Sequence, residues 1–240
     1  MAASGTRVVT RLSLLMSIVG LVACDREPAY DRLFPLAAGH RWTYRVVTRL
    51  GDDAADEEML TMRTLGSESF GATAAWHRRS DSGIDYWLRA DASGIYRVAS
   101  KSDLDAAPLP DQPVRYVLKT PYAVGTQWQA TTAPYLLMRS NEFPREIRHS
   151  HPAVLMVYQI DATDAAIDTP YGHLAHCLRV RGTASVRLYA DPVSGWRDLP
   201  LTTVEWYCPT VGLAKVERSE PARSAFLTGG TRTLELEAFE

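Results

Sequence analysis

Residues 178–189 alternate without a break. Leu178, Val180, Gly182, Ala184, Val186 and Leu188 fall on one side, and Arg179, Arg181, Thr183, Ser185, Arg187 and Tyr189 on the other. Side chains of an extended chain point to opposite faces with period two, so this stretch reads as a strand with one dry and one wet face. A strand of that length needs hydrogen-bonding partners and cover for its apolar side, which points to an antiparallel sheet rather than a helical bundle.

The rest of the chain repeats the signal in shorter phrases. Asp191-Pro192-Val193-Ser194-Gly195 supplies turn chemistry, and residues 202–208 are expected to run back with Val204 and Trp206 inward. Residues 211–217 and 234–239 alternate likewise, and 44–50, 59–65, 74–79, 86–89, 94–99, 114–118 and 154–160 are further candidates. Polar runs such as 51–58 and Asp81-Ser82-Gly83 separate them, and residues 101–113 and 131–152 read as long loops. The expected fold is mainly β, a curved antiparallel sheet or half-barrel with long loops and little helix. Trp42, Tyr44, Trp128 and Trp206 are expected in its core.

Before the first strand lies an address. Arg7 and Arg11 precede an uncharged stretch, residues 12–23, whose roughly 18 Å as a helix falls short of the ~30 Å hydrocarbon core. A positive start and a short apolar run make a secretory signal peptide. It ends Leu21-Val22-Ala23-Cys24, which resembles the lipobox of bacterial lipoproteins. That resemblance implies cleavage between Ala23 and Cys24 and acylation of Cys24, so the protein is held to a membrane by its lipid and otherwise faces the periplasm. Two or three acyl chains anchor stably where one does not. Asp25 at the next position resembles an inner-membrane retention signal. The expected organisation is a signal peptide over residues 1–23, a lipidated tether over 24–33 and a β domain over 34–240.

Pro-x3-Gly-x2-Trp occurs twice, from Pro35 to Trp42 and from Pro121 to Trp128. The two copies mark either half-domains, the second starting near residue 114, or a coincidence. Phe34 to Tyr44, Leu118 to Trp128 and Trp206 to Lys215 together resemble an uncharacterised group of bacterial lipoproteins and secreted domains. In that group Gly stands where this chain has Thr210. The resemblance implies a half-barrel of the lipoprotein-carrier type and brings no catalytic residues with it.

With Cys24 lipidated, Cys177 and Cys208 remain as an even pair in an oxidising compartment. They fit either a disulfide or two buried thiols. Aligning Leu178 and Val180 with Val204 and Trp206 makes opposed residues sum to an even number, and 177 plus 208 is odd. A disulfide therefore needs a bulge near Gly172 or Pro209, or another register.

Chemistry-bearing patterns are weak. His149 and His151 would share a strand face as zinc ligands do, but no Cys pair or carboxylate pattern completes a site, so no metal is assigned. His173 and His176 read as exposed. Gly66-Ser67-Glu68-Ser69-Phe70-Gly71 lacks the Gly-x-Ser-x-Gly spacing of a nucleophile elbow and reads as a turn. Asp52, Asp53, Asp56, Glu57 and Glu58 lack the calcium-loop rhythm and read as a solvated hairpin loop. There is no phosphate-binding glycine loop and no dinucleotide fingerprint. A formal charge of −2 argues against a nucleic-acid partner. The expected function is non-enzymatic, without a cofactor: an envelope protein binding an apolar ligand or an envelope protein through its curved sheet. A scaffold for an envelope complex is the alternative, and a hydrolase using His149 or His151 a weaker one.

Overall fold

The computed structural model describes residues 1–2, 32–139, 153–191, 193, 195–223 and 227–240. Cys24, Ala23, Asp25, His149 and His151 lie outside them. Among the described residues, apart from a helical turn at 32–33, the elements are strands: β1 (Arg41–Leu50), β2 (Asp56–Phe70), β3 (Thr73–Ser80), β4 (Asp85–Asp91), β5 (Gly94–Lys101), β6 (Leu109–Lys119), β7 (Gln127–Thr132), β8 (Met138–Arg139), β9 (Val154–Thr169), β10 (Gly172–Asp191), β11 (Gly195–Cys208), β12 (Gly212–Arg223) and β13 (Leu227–Phe239).

They form one antiparallel sheet in the order β6-β5-β4-β3-β2-β1-β13-β12-β11-β10-β9-β7, with the short β8 paired to β13. The sheet curls into a nearly closed barrel, further round than a half-barrel. Its end strands β6 and β7 come side by side without a backbone ladder. Arg115 of β6 crosses the seam, donating to the Thr131 carbonyl and, at 3.3 Å, to the Tyr158 hydroxyl.

Two expected loops are partly strand. Residues 109–113 begin β6, and 131–132 end β7, with β8 following. Pro110 and Pro113 sit on an edge strand, where a missing N–H leaves no gap in a ladder. Residues 66–70, expected as a turn, continue β2 beyond a register shift between Thr64 and Gly66. The acidic loop is shorter than expected, because Asp56, Glu57 and Glu58 already pair with β1.

The most informative correction concerns β11. Leu178 pairs with Tyr207 and Val180 with Glu205, so the register sum is odd. A one-residue slip sends every side chain to the other face. Leu201, Thr203 and Tyr207 are therefore buried against Leu178, Val180 and Val186 inside the barrel, and Val204 and Trp206 turn outward, half-buried. β11 carries apolar groups on both faces, so alternation alone could not choose between them. The same register sets Cys177 opposite Cys208, and the two form a disulfide with Cα atoms 4.1 Å apart.

The main core gathers Ile95, Leu118, Trp128, Met156, Ile160, Val180 and Leu201. A second cluster joins Trp42, Tyr44, Val46 and Leu236 to the disulfide. The long β9–β10 hairpin reaches it: the Tyr171 N–H donates to the Leu236 carbonyl at 3.0 Å, past the last β12–β13 pair. Both Pro-x3-Gly-x2-Trp phrases build the same device. Gly39 and Gly125 adopt φ of 93° and 94°, a conformation that favours glycine, and each turn delivers a buried tryptophan, Trp42 or Trp128, into a new strand.

Candidate functional site: a polar belt inside the barrel

Following the pairing register sideways across the sheet gives one continuous row. Trp128 pairs with Tyr158, Tyr158 with Gly182, Gly182 with Thr203, Thr203 with Arg218, Arg218 with Arg232, Arg232 with Thr48 and Thr48 with Asp56. Eight strands contribute, and the row is polar for most of its length. Two residues along each strand, on the same inward face, the lining turns largely apolar: Met156, Leu201, Ile160, Val180 and Leu234, with Glu205 and Glu220 as the charged members.

The register places Arg218 directly opposite Arg232, and like charges so placed repel. Each has its own carboxylate. Arg218 Nε donates to Glu220 at 2.8 Å, and Arg232 Nη2 to Glu58 at 2.7 Å. The first pair is almost completely enclosed, and removing one partner of such a pair costs about 3–5 kcal/mol because the other charge is left stranded. Glu220 also accepts from the backbone N–H groups of Tyr135 at 3.0 Å and Leu136 at 2.8 Å, tying the 133–137 segment over the belt.

Glu205 is different. Its carboxylate accepts the Tyr207 hydroxyl at 2.5 Å, and it has no ion pair among the described residues. Burial holds its pKa above the ordinary carboxylate range, against the opposing pull of Tyr207, Arg115 and Arg218. Burial likewise raises the Tyr158 and Tyr207 hydroxyls, with the Glu205 charge adding to both. Trp128 stacks on Tyr158 at 5.7 Å with planes 8° apart, and its indole N–H has no acceptor among the described residues. Gly182 is where the row is tightest. A Cβ there would stand 2.6 Å from Thr203 Cγ2, 2.8 Å from Met156 Sδ and 2.9 Å from Tyr158 Cε1.

The interior opens at the end carrying the β3–β4 turn. A cavity of about 450 Å³ is lined there by Leu60, Met62, Ser80, Tyr86, Glu58 and Arg232 together with the turn itself. Those six are inward-facing residues of β2, β3, β4 and β13, and outward-facing Met59 completes the rim, so the cavity lies at the mouth of the barrel. The opposite end holds the start of the domain. Phe34 and Leu36 are buried, the Thr210 N–H donates to the Arg32 carbonyl at 2.8 Å, and Pro35 lies against Gly212.

Of the residues singled out from sequence, Cys177 and Cys208 come together as a fully buried disulfide in the cluster of Trp42, Tyr44 and Leu236, outside the belt. His173 and His176 sit exposed on the β9–β10 hairpin, each paired with an aspartate of β9: Asp168 at 2.8 Å and Asp164 at 2.6 Å. No group of three metal-ligating side chains occurs among the described residues. Sequence reasoning missed Arg115, Glu205, Arg218 and Glu220. The available signal was a charged residue at an inward strand position, and it was hidden at Glu205 by the misassigned register of β11. His77 was missed as well: it bridges Asp85 at 2.6 Å and Glu68 at 3.4 Å and stacks on Trp87, on the outer face.

Fold and site define a nearly closed antiparallel barrel with a polar belt through an apolar interior. No family model matches the chain, and no curated protein matches it. Two solved structures resemble it at 12% identity. One is of a protein from Parabacteroides distasonis described as a lipoprotein, with a TM-score of 0.39 over 87% of this chain and 98% of that one. The other is of a protein from Bacteroides fragilis described as exported with a YmcC-like fold, with a TM-score of 0.36 over 85% of this chain and 96% of that one.

Proposed function

We propose that this protein is a lipid-anchored, non-enzymatic barrel of the bacterial envelope that binds an apolar ligand carrying a polar group. The observation behind the reading is the belt, a row of charged and hydrogen-bonding side chains set in a largely apolar interior, with a cavity of about 450 Å³ at its Arg232 end. Small-ligand sites combine these features within about 300–1,000 Å³. The Leu21-Val22-Ala23-Cys24 phrase supports acylation at Cys24, and Asp25 supports retention in the inner membrane. The Cys177–Cys208 disulfide suits an oxidising compartment such as the periplasm.

The test is native mass spectrometry, with organic extraction, of the mature chain secreted behind an ordinary cleavable signal. A stoichiometric apolar molecule is the expected result. A well-folded barrel that stays empty and takes up no amphiphile would overturn the reading.

A scaffold for an envelope complex is favoured by one observation. Tyr189, Val193 and Trp196 are exposed at the β10–β11 turn, with the two rings in edge contact at 5.8 Å. Exposed apolar clusters of this kind mark contact surfaces. A photo-crosslinking residue at position 196 would capture a defined envelope protein if that surface is used.

A further inference from the structure

The interior leaves hydrogen-bond donors open. Among the described residues, four enclosed side-chain atoms lack a partner: Trp128 Nε1, Arg218 Nη2, Tyr122 Oη and Arg45 Nε. Each carries a proton to donate. Arg45 faces outward, in an ion pair with Glu235 at 3.0 Å. Trp128 and Arg218 belong to the inner row, and both residues are only 5% exposed. Among the described residues no enclosed carboxylate oxygen is left open in the same way.

The charge balance leans the same way. Arg78, Arg97, Arg115, Arg218 and Arg232 reach the interior, against Glu58, Asp111, Glu205 and Glu220, while Asp56 at the end of the row is exposed to solvent. Arg97, Arg218 and Arg232 are paired with Asp111, Glu220 and Glu58. Arg78 and Arg115 instead donate to neutral groups, the Pro35 and Thr131 carbonyls and the Thr64 and Tyr158 hydroxyls. The remaining acid, Glu205, is pushed by burial toward its neutral form. Buried donors without acceptors cost free energy, and a ligand that supplies acceptors recovers it.

Building on the ligand-binding reading above, we infer that the barrel takes an amphiphile with a single anionic head, a carboxylate or a phosphate monoester. The head oxygens accept from the open donors of the row, Arg218 Nη2 and Trp128 Nε1. The chain lies among the apolar side chains toward the mouth, where Leu60 and Met62 stand.

The experiment titrates the whole mature chain by calorimetry with dodecanoate, dodecyl phosphate, dodecanol and dodecyltrimethylammonium, all below their micellar concentrations. At least one of the two anions is expected to bind about tenfold tighter than dodecanol, the effect of one charged hydrogen bond, and the cation weakest. The better anion tells carboxylate from phosphate. Trp128→Phe keeps a ring over Tyr158 and removes the N–H, so it lowers anion affinity severalfold and leaves dodecanol unchanged. Arg218→Lys, which keeps the charge beside Glu220 but not the fork, does the same. Dodecanol binding as tightly as both anions, or an anion preference surviving both substitutions, would overturn the head assignment alone. Failure of all four compounds to bind would remove the ligand-binding reading itself.

Discussion

The guanidinium of Arg78 lies 4.5 Å from the centroid of the Phe34 ring and 4.2 Å from that of Trp42, sandwiched between the start of the domain and its first strand. It donates to the Pro35 carbonyl at 2.7 Å and to Thr64 Oγ1 at 3.3 Å, and it has no carboxylate partner among the described residues. Burial lowers its pKa to about 10, which leaves it charged at neutral pH. A buried cation is thus the clasp that fixes the segment at Phe34 and Pro35 to the barrel.

Arg78→Met keeps the unbranched apolar stem but strands the Pro35 carbonyl and removes both cation–ring contacts. The expected loss is about 2–4 kcal/mol, read from urea denaturation. Limited proteolysis should also cut near residue 34 earlier than anywhere in the barrel. Unchanged stability and protection would show that Phe34 and Leu36 hold the segment by burial alone.

Cys177 and Cys208 close a loop 31 residues apart in sequence. Replacing both by Ala is expected to cost about 3–4 kcal/mol through the freed unfolded chain. The variant should keep the β10–β11 register, since eleven further residue pairs from Leu178 to Leu188 hold it. Loss of the strand signal in circular dichroism would mean instead that the disulfide sets the register.

Glu205 gives the barrel a pH dependence of known sign. Its folded pKa is raised, so the stability linked to its proton is fully present below the unfolded value of about 4.3 and is lost as pH climbs through the folded value. Glu205→Gln cannot ionise. The variant should therefore gain on the native protein as pH rises from about 4 toward 8, with the difference in Tm read across that range. A gap that narrows with rising pH would contradict the assignment.

Thr210 adopts φ of 76°, where a β-branched residue is strained, and its N–H is spent on the Arg32 carbonyl. Thr210→Gly relieves about 1–3 kcal/mol of strain and gives back about 0.5–1 kcal/mol to the looser unfolded chain. A net gain of about 1 kcal/mol in a denaturant titration is expected, and a loss would show that the threonine side chain holds the turn.

Much of the barrel was legible because alternation is a local signal. Leu178, Val180, Val186, Leu236, Trp42 and Trp128 could be placed in a core from their spacing, and each is buried. Pairing register is not local. β11 offers Leu201 and Tyr207 on one face and Val204 and Trp206 on the other, and only the partner strand decides which goes in. The belt was invisible for the same reason. Arg115, Glu205 and Arg218 each look like a solvated residue in their own segment, and they become neighbours only when strands some 90 residues apart in sequence, β6 and β11, curl toward each other.

β1 pairs along its whole length with β13, and Arg45 meets Glu235 across 190 residues of chain. Arg41 and Glu240 exchange both of their backbone hydrogen bonds, at 2.9 and 3.0 Å. The first strand therefore waits, one edge bare, until nearly all of the chain has been made. Contacts this distant in sequence slow folding and leave strand edges exposed to wrong partners. A chain delivered amino-terminus first needs an escort, or a β2 that forms fast enough to shield one side of β1, for the interval before β13 arrives.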